Sequence, residues 1–357
     1  MDVVLLQKIK RKKMQIDNVR KNSIYAMVLR FIVLTLGFVV VKLAYNYLDQ
    51  TRYGVWMTIL AIFQWVAVVD LGISNGLRNR LTECLAKNDI KMAKTYVSTA
   101  YAVFGMFILL LMAATYFLLR IVNYEALFNV NAQIASEIRT MILFITPLFL
   151  FTFYLSIINA VLYAKQDSAL YDFRFFIFNI VYIIAIVVIK VFTHNSLMML
   201  SASYIFGTIA SYIILTLYLF SKRYQDISPG LSFIRIGYIK NILNIGVLFL
   251  VVQITNVVLM SADNILITQL LGPEHVSVYQ IVNKPFIVVY ILFTGITAPL
   301  WSAFTDHYTR NDLAWITGTI KKMLKLLIPI AGMLIIVALS LKLLIYLWIG
   351  KELDYSL

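Results

Sequence analysis

Long apolar runs separated by short polar connections dominate the chain. Nine runs of about 20 or more mostly apolar residues occupy 23–47, 53–71, 96–119, 140–163, 170–192, 197–220, 242–262, 276–300 and 323–348. A helix needs about 20 such residues to cross ~30 Å of hydrocarbon. The pattern therefore predicts nine transmembrane helices in an all-α polytopic membrane protein. Arg30 and Lys42 interrupt the first run and no small-residue cleavage site follows it, so it is not read as a signal peptide.

Composition supports the same class. Of 357 residues, 61% are hydrophobic and 13% are charged, whereas soluble domains have roughly 45–50% and ~25%. This balance excludes a soluble enzyme, a disordered chain and a nucleic-acid-binding domain. The formal net charge of +14 lies mainly in the connections, where it favours anionic membrane lipids as partners. The single cysteine, Cys84, and three widely separated histidines predict neither a disulfide nor a metal cofactor.

The basic residues also predict an orientation. With a cytoplasmic N-terminus, twenty Lys and Arg residues fall in inner segments, against three in outer connections, Arg52, Arg120 and Lys351. This bias obeys the positive-inside rule. The connections are too short for a nucleotide-binding domain or a large external catalytic loop, and no P-loop motif is present. We therefore expect a multi-pass, non-enzymatic membrane protein with a cytoplasmic N-terminus.

An internal repeat organises the chain. Residues 48–94 align without a gap to residues 271–317, at an offset of 223 residues. Gly72 then meets Gly295, and Asn88-Asp89 meets Asn311-Asp312. Spans 1 to 3 match spans 7 to 9, and the even spacing gives the halves one orientation. The sequence thus predicts two parallel-repeat helical bundles around a central cavity.

The repeat predicts the domain boundaries and a missing end. We expect a basic lead-in at 1–22, a six-helix lobe at 23–220, a cytoplasmic linker at 221–241 and a three-helix partial lobe at 242–357. Partners of spans 4 to 6 would need about 80 further residues. The expectation is a second bundle truncated to nine spans of twelve, with a natural nine-span protein as the alternative.

Three short stretches carry a family resemblance. They are Tyr-Gly-Val-Trp at 53–56, Asp-Leu-Gly-Ile-Ser-Asn-Gly-Leu-Arg-Asn at 70–79 and Leu-Gly-Pro at 271–273. The chain resembles the O-antigen type of polysaccharide repeat-unit flippases, in the multidrug/oligosaccharidyl-lipid/polysaccharide exporter superfamily. The resemblance implies two six-helix bundles around a cationic cavity. It also implies a cargo of undecaprenyl-pyrophosphate-linked oligosaccharide, moved from the inner to the outer leaflet by alternating access, and other polysaccharide-assembly membrane proteins as partners.

Two cations within the spans are candidate cargo-binding residues, because ionisable groups at membrane depth tend to face a cavity or a partner. Arg30 lies seven residues, about 10 Å, into the first span. Lys284 directly precedes Pro285 and shares a polar stripe with Gln280. Both are predicted to line the cavity; the alternative for each is a side chain that extends to the headgroups.

Further polar residues complete the predicted site. Gln253, Asn256 and Asp263 fall within one ~100° arc of the seventh span, which indicates a wetted face. Asp263 is expected to pair with Lys284 or Arg30, to carry a coupling ion, or simply to mark the outer boundary. Residues of the inner connections and inner span ends are predicted to have peripheral roles: Arg78 and Arg80 as a cytoplasmic entrance or as topology signals, and Asp172 and Arg174 as boundary anchors. A stripe of Thr152, Ser156, Asn159 and Tyr163 suits either helix association or sugar contact.

Three functions compete. A flippase for lipid-linked oligosaccharide agrees with the cationic residues Arg30 and Lys284. A cation-coupled exporter of small drugs on the same architecture would favour deep carboxylates. A membrane glycosyltransferase or polymerase would need an acidic catalytic cluster or a long outer loop, and the sequence offers neither.

Overall fold

The structure is a computed structural model that describes residues 27–297 and 312–350, with positions 300, 304, 307 and 308 between them. Within the helices, the side chains of 67–73, 168, 244–253, 256, 260 and 294–296 also lie outside the described residues. The predicted lead-in at 1–22 is therefore outside them. The chain divides into two compact units, Met1–Val276 and Ser277–Leu357. The predicted lobe and linker boundaries stay predictions.

Helices make up the described chain. The first unit contains α1 (Met27–Tyr47), α2 (Gln50–Ala86), α3 (Ile90–Arg120), α4 (Tyr124–Phe128), α5 (Ala132–Ser156), α6 (Ile158–Ala164), α7 (Ser168–Phe192), α8 (Leu197–Tyr218) and α9 (Ile239–Leu271). Helix α10 (Pro273–Thr297) begins at the end of this unit, and α11 (Leu313–Ile349) belongs to the second. The predicted all-α membrane fold is confirmed.

Seven of the described helices are long and apolar enough to cross a membrane, namely α1, α3, α5 with α6, α7, α8, α10 and α11. Each coincides with a predicted span. The other two predicted spans, 53–71 and 242–262, lie within α2 and α9. Several side chains of both helices are outside the described residues. The described residues therefore account for seven of the nine predicted transmembrane helices, and the other two stay predictions.

The internal repeat reappears in the helix boundaries. Helix α2 begins at Gln50 and α10 begins 223 residues later at Pro273. Asp89 caps the start of α3 by accepting a hydrogen bond from the Met92 N–H, and Asp312 caps α11 through Trp315 in the same way. A carboxylate at this position satisfies an unpaired helical N–H group. The repeated Asn-Asp pair is therefore a repeated helix start.

Helices α2 and α9 pack along each other through small and polar residues. The Thr58 and Thr268 hydroxyls are 2.6 Å apart, and Trp65 donates its indole N–H to the Ser261 hydroxyl at 2.6 Å. Near the other end of the contact, a Cβ added to Gly76 would lie 2.0 Å from the Ile242 carbonyl oxygen. Only glycine fits there, as small residues permit close helix approach in membranes. The close approach of α9 therefore explains why the 70–79 stretch has a glycine at position 76.

A cluster of charged and amide groups joins the helices at one end of the first unit. Arg52 donates from Nε to Glu137 at 2.8 Å and from Nη1 to Asp49 at 2.5 Å. Asn195 donates its amide to the same Asp49 carboxylate, and Glu137 accepts from the Leu197 backbone N–H at 3.1 Å. The cluster thus connects the starts of α2 and α8 with α5.

This cluster predicts acid-sensitive stability. Burial alone would raise the pKa of Asp49, but the Arg52 backbone N–H, the Asn195 amide and the Arg52 guanidinium lower that pKa on balance. A lowered folded-state pKa stabilises the protein above the unfolded value, near 3.9, and the stabilisation is lost as pH falls through the folded value. Because the Asp49 side chain is 40% exposed, solvent weakens these contacts, and Asp49→Asn should cost about 1 kcal/mol above pH 5. The difference should shrink below pH 4.

Thermal unfolding in detergent at several pH values measures this difference. The matched control is Asp226→Asn, which changes an exposed carboxylate at the opposite end of the unit. Equal melting-temperature losses for Asp49→Asn at pH 7 and pH 3.5 would contradict the assignment.

The opposite end of the first unit gathers basic connections. Arg223 pairs with Asp167 at 2.9 Å, and the Lys165 ammonium lies 5.1 Å from the centre of the Tyr224 ring. Residues from the predicted 221–241 linker return to α3, where Ser98 accepts from the Gly230 N–H at 3.0 Å. The connections after α6 and α8 therefore meet at one end of the unit.

The predicted orientation can be tested on these connections. Reporter fusions at Lys87, Lys222 and Arg310 should read cytoplasmic, and a fusion at Asn129, between α4 and α5, should read external. The reason is the excess of basic residues in the predicted inner segments. A cytoplasmic signal at Asn129 would overturn the orientation.

Candidate functional site

Arg30 forms an ion pair inside the first unit. Its Nε donates to Asp172 Oδ2 at 2.9 Å, which joins α1 to α7. The Asp172 side chain is 9% exposed, whereas the Arg30 side chain is 57% exposed. This hydrogen bond uses only the Nε of the guanidinium. A planar guanidinium can hold two acceptors at once.

The structure gives Arg30 a carboxylate partner, Asp172, that was not predicted from the sequence. The alternatives given for Asp263 stay predictions. The expectation that Asp172 and Arg174 are boundary anchors is wrong, because the two residues are only 6% and 5% exposed. They do point to different sides of α7, as their spacing of two residues requires.

A cavity of about 240 Å³ lies between α5, α6, α7 and α8. Six aromatic rings form much of its wall: Phe149, Phe153, Phe175, Phe178, Tyr204 and Tyr212. Its polar groups are Thr152, Ser156, Asn159, Thr208 and Arg174. Three of the four residues in the polar stripe predicted on span 4 therefore line this cavity.

Arg174 carries the positive charge of this cavity. Its guanidinium carbon lies 3.9 Å from the centre of the Phe175 ring and 4.2 Å from that of Tyr212. Its buried Nε has no hydrogen-bond partner. None of the ion pairs formed among the described residues includes Arg174. Aromatic faces stabilise a cation only in part, so the guanidinium is short of acceptors.

The sequence contained a signal for Arg174. The residue lies four positions inside the predicted span 170–192 and is embedded in Phe173-Arg174-Phe175-Phe176. At 1.5 Å per residue, it lies about 9 Å from the first residue of α7. Counted from the predicted span start at 170, its depth is only about 6 Å, against about 10 Å for Arg30, so the aromatic neighbours are the stronger signal.

The predicted entrance residues lie near the basic end of the unit. Arg80 donates from Nε to the Asn241 carbonyl at 3.1 Å and from Nη1 to Glu83 at 3.0 Å. Arg78 is exposed, and its guanidinium carbon lies 5.1 Å from the centre of the Tyr163 ring. Arg80 therefore joins α2 to α9, whereas Arg78 keeps an accessible charge.

The remaining predicted site residues are on α9 and α10. The side chains of Gln253 and Asn256 lie outside the described residues. Asp263 is exposed on α9. In the second unit, Gln280 and Lys284 are half-buried on α10, which contains Pro285. Their roles in cargo binding stay predictions.

Comparison with protein families gives one match along most of the chain. Residues 19–304 match a family model described as polysaccharide biosynthesis protein. A protein of Salmonella typhimurium (strain LT2), provisionally named O-antigen transporter, is 24% identical over 267 residues, which are 71% of this chain and 57% of that protein. A protein of Salmonella typhi with the same name is 21% identical over 289 residues, 80% and 64% of the two chains. The chain thus spans about three fifths of the length of these relatives.

Solved structures share the fold. The inward-facing conformation of a multidrug resistance MATE family transporter of the MOP superfamily has a TM-score of 0.69 and 14% identity, over 92% of this chain and 76% of that chain. The outward-facing conformation of such a transporter has a TM-score of 0.55 and 12% identity, over 77% and 60%. At this identity, the likeness establishes the fold.

Proposed function

Because the chain belongs to the polysaccharide biosynthesis protein family, we propose that it is a flippase for lipid-linked oligosaccharide. The cargo is an undecaprenyl-pyrophosphate-linked repeat unit of O-antigen or a similar surface polysaccharide. It moves from the inner to the outer leaflet of a bacterial cytoplasmic membrane by alternating access. The N-terminus of the protein is on the cytoplasmic side.

The observation that carries this proposal is the sign of the buried charge. Helix α7 buries Asp172 and Arg174, and Arg30 on α1 pairs with Asp172. Arg174 is therefore in excess, and the two arginines and one aspartate together carry a net positive charge. Fixed cations within a membrane protein lower the cost of moving an anion through an apolar medium. The cargo that matches this charge is anionic.

Arg30 has the geometry to receive the pyrophosphate. Its Nε is held by Asp172, which fixes the plane of the guanidinium while its other N–H groups stay available. Bidentate contact to phosphate oxygens uses this fork. Lys284 on α10 and Arg78 on α2 are further cations that attract the cargo, Arg78 at the cytoplasmic side. The sugars then occupy polar parts of the protein while the prenyl chain stays in lipid.

A cation-coupled exporter of small molecules is the second candidate, favoured by the fold shared with multidrug transporters. A site for cationic drugs would need an accessible carboxylate within the membrane. Asp172 is buried against Arg30 and does not offer one, and the exposed Asp263 follows the predicted span 242–262 rather than lying deep within it. The sign of the charge thus favours the flippase.

Deletion of the gene in its native host tests the proposal. We expect loss of the surface polysaccharide, measured on gels of cell extracts, and accumulation of lipid-linked repeat units in the membrane. Unchanged polysaccharide together with new sensitivity to cationic dyes would contradict the flippase and support the exporter.

A further inference from the structure

The Arg174 cavity has the chemistry of a ligand site that is separate from Arg30. We propose that it binds one acidic sugar residue, with Arg174 as the partner of the sugar carboxylate. This inference rests on the proposed function, because it identifies the cavity's ligand as a unit of the transported oligosaccharide.

Charge is the first reason. The Arg174 side chain is 5% exposed, and no carboxylate of the described residues pairs with it. A buried cation without an anion is costly, and a bound carboxylate would remove that cost. Guanidinium groups hold carboxylates through two parallel hydrogen bonds. The nearest buried acid in sequence, Asp172, is already occupied by Arg30.

The lining is the second reason. Asn159 donates its amide to the Tyr212 hydroxyl at 3.2 Å, while its own carbonyl oxygen is buried without a partner. Arg174 lies against the ring of the same Tyr212. An unsatisfied acceptor and an unsatisfied donor therefore belong to neighbouring groups of one cavity. A ligand that carries both a hydroxyl and a carboxylate would satisfy both.

Aromatic walls and size define the rest of the ligand. Six aromatic rings offer apolar faces, which suit the C–H faces of a sugar ring better than a bare inorganic ion. The volume of about 240 Å³ is below the ~300 Å³ at which pockets for larger ligands begin. This size suits one sugar ring better than an oligosaccharide or a prenyl chain.

Binding to the purified chain in detergent tests this site. The probes are glucuronate, glucose and inorganic pyrophosphate, titrated separately while tryptophan fluorescence is recorded. Trp56 is a suitable reporter because its ring centre lies 5.4 Å from that of Tyr204, which lines the cavity. We expect glucuronate to bind at least about tenfold more tightly than glucose, the factor expected for one charge-assisted contact.

Variants separate the cavity from other cationic sites. Arg174→Gln should weaken glucuronate binding at least tenfold. Arg120→Gln is the matched control, because Arg120 also lies over an aromatic ring, that of Tyr116 at 4.8 Å, but is outside the cavity. It should leave binding unchanged. Asn159→Asp places a carboxylate of nearly equal size in the cavity, and it should abolish glucuronate binding while the melting temperature is kept or raised.

Several outcomes would overturn the site. They are no saturable binding of glucuronate to the wild-type chain, equal affinity for glucuronate and glucose, or equal loss in the Arg174 and Arg120 variants. Pyrophosphate binding that depends on Arg174, without glucuronate binding, would assign the cavity to the lipid carrier and contradict the sugar site. If glucuronate binds through Arg174 but lipid-linked oligosaccharide is not translocated, the site stands and the proposed function fails. If the Arg174→Gln variant translocates an acidic lipid-linked oligosaccharide normally, the sugar site is contradicted and the proposed flippase function stands.

Discussion

Arg30→Glu should abolish translocation of lipid-linked oligosaccharide while the protein still reaches the membrane. The change removes the cation assigned to the pyrophosphate and places a second carboxylate beside the buried Asp172, which now lies 2.9 Å from Arg30 Nε. Loss of the cation that offsets the desolvation of the pyrophosphate raises the barrier to translocation, so we expect transport to fall at least ~100-fold. Accumulated lipid-linked intermediate and an immunoblot of the membrane fraction measure the two effects.

Companion variants separate charge from structure. Arg30→Lys should retain more transport than Arg30→Ala if charge matters more than the bidentate fork. The exchange variant, Arg30→Asp with Asp172→Arg, should keep the membrane level but should not restore transport. Restored transport in this variant would give Arg30 a purely structural role.

Lys284→Glu, a change in the second unit, should reduce translocation by about as much as Arg30→Glu. Lys284 is half-buried on α10 and directly precedes Pro285, which interrupts the helical hydrogen bonding. A negative charge at this position would repel the pyrophosphate, and we expect at least ~100-fold slower translocation with normal membrane insertion.

The matched control is Lys321→Glu, which reverses an exposed lysine near the start of α11. It should reduce transport little, since exposed charges are screened by salt. Normal transport by Lys284→Glu, or equal losses in both variants, would show that Lys284 is only an interfacial residue.

The helices and the internal repeat could be predicted from the sequence, because both depend on residues close to one another in the chain. Apolar length alone located the spans, and the helix starts at Gln50 and Pro273 keep the offset that aligned Asp89 with Asp312. A carboxylate N-cap acts on the next three residues. Such signals are readable without knowledge of tertiary contacts.

The partners of the buried charges were not readable in this way. Arg30 and Asp172 are 142 residues apart, and only the packing of α1 against α7 brings them together. Asp172 and Arg174 looked like interface residues because they lie near the start of an apolar run. Depth and aromatic neighbours distinguish a buried arginine from an interfacial one, and the number of residues from a span's end measures depth only approximately.

Translocation in proteoliposomes measures the proposed activity directly. The purified chain is reconstituted with an acidic lipid-linked oligosaccharide in one leaflet, and arrival in the other leaflet is followed with an enzyme that modifies only exposed sugar. We expect translocation well above that of protein-free vesicles, and loss of that activity with Arg30→Glu. Equal rates in protein-containing and protein-free vesicles, or equal rates for the wild-type and Arg30→Glu proteins, would contradict a flippase that works through a cationic site.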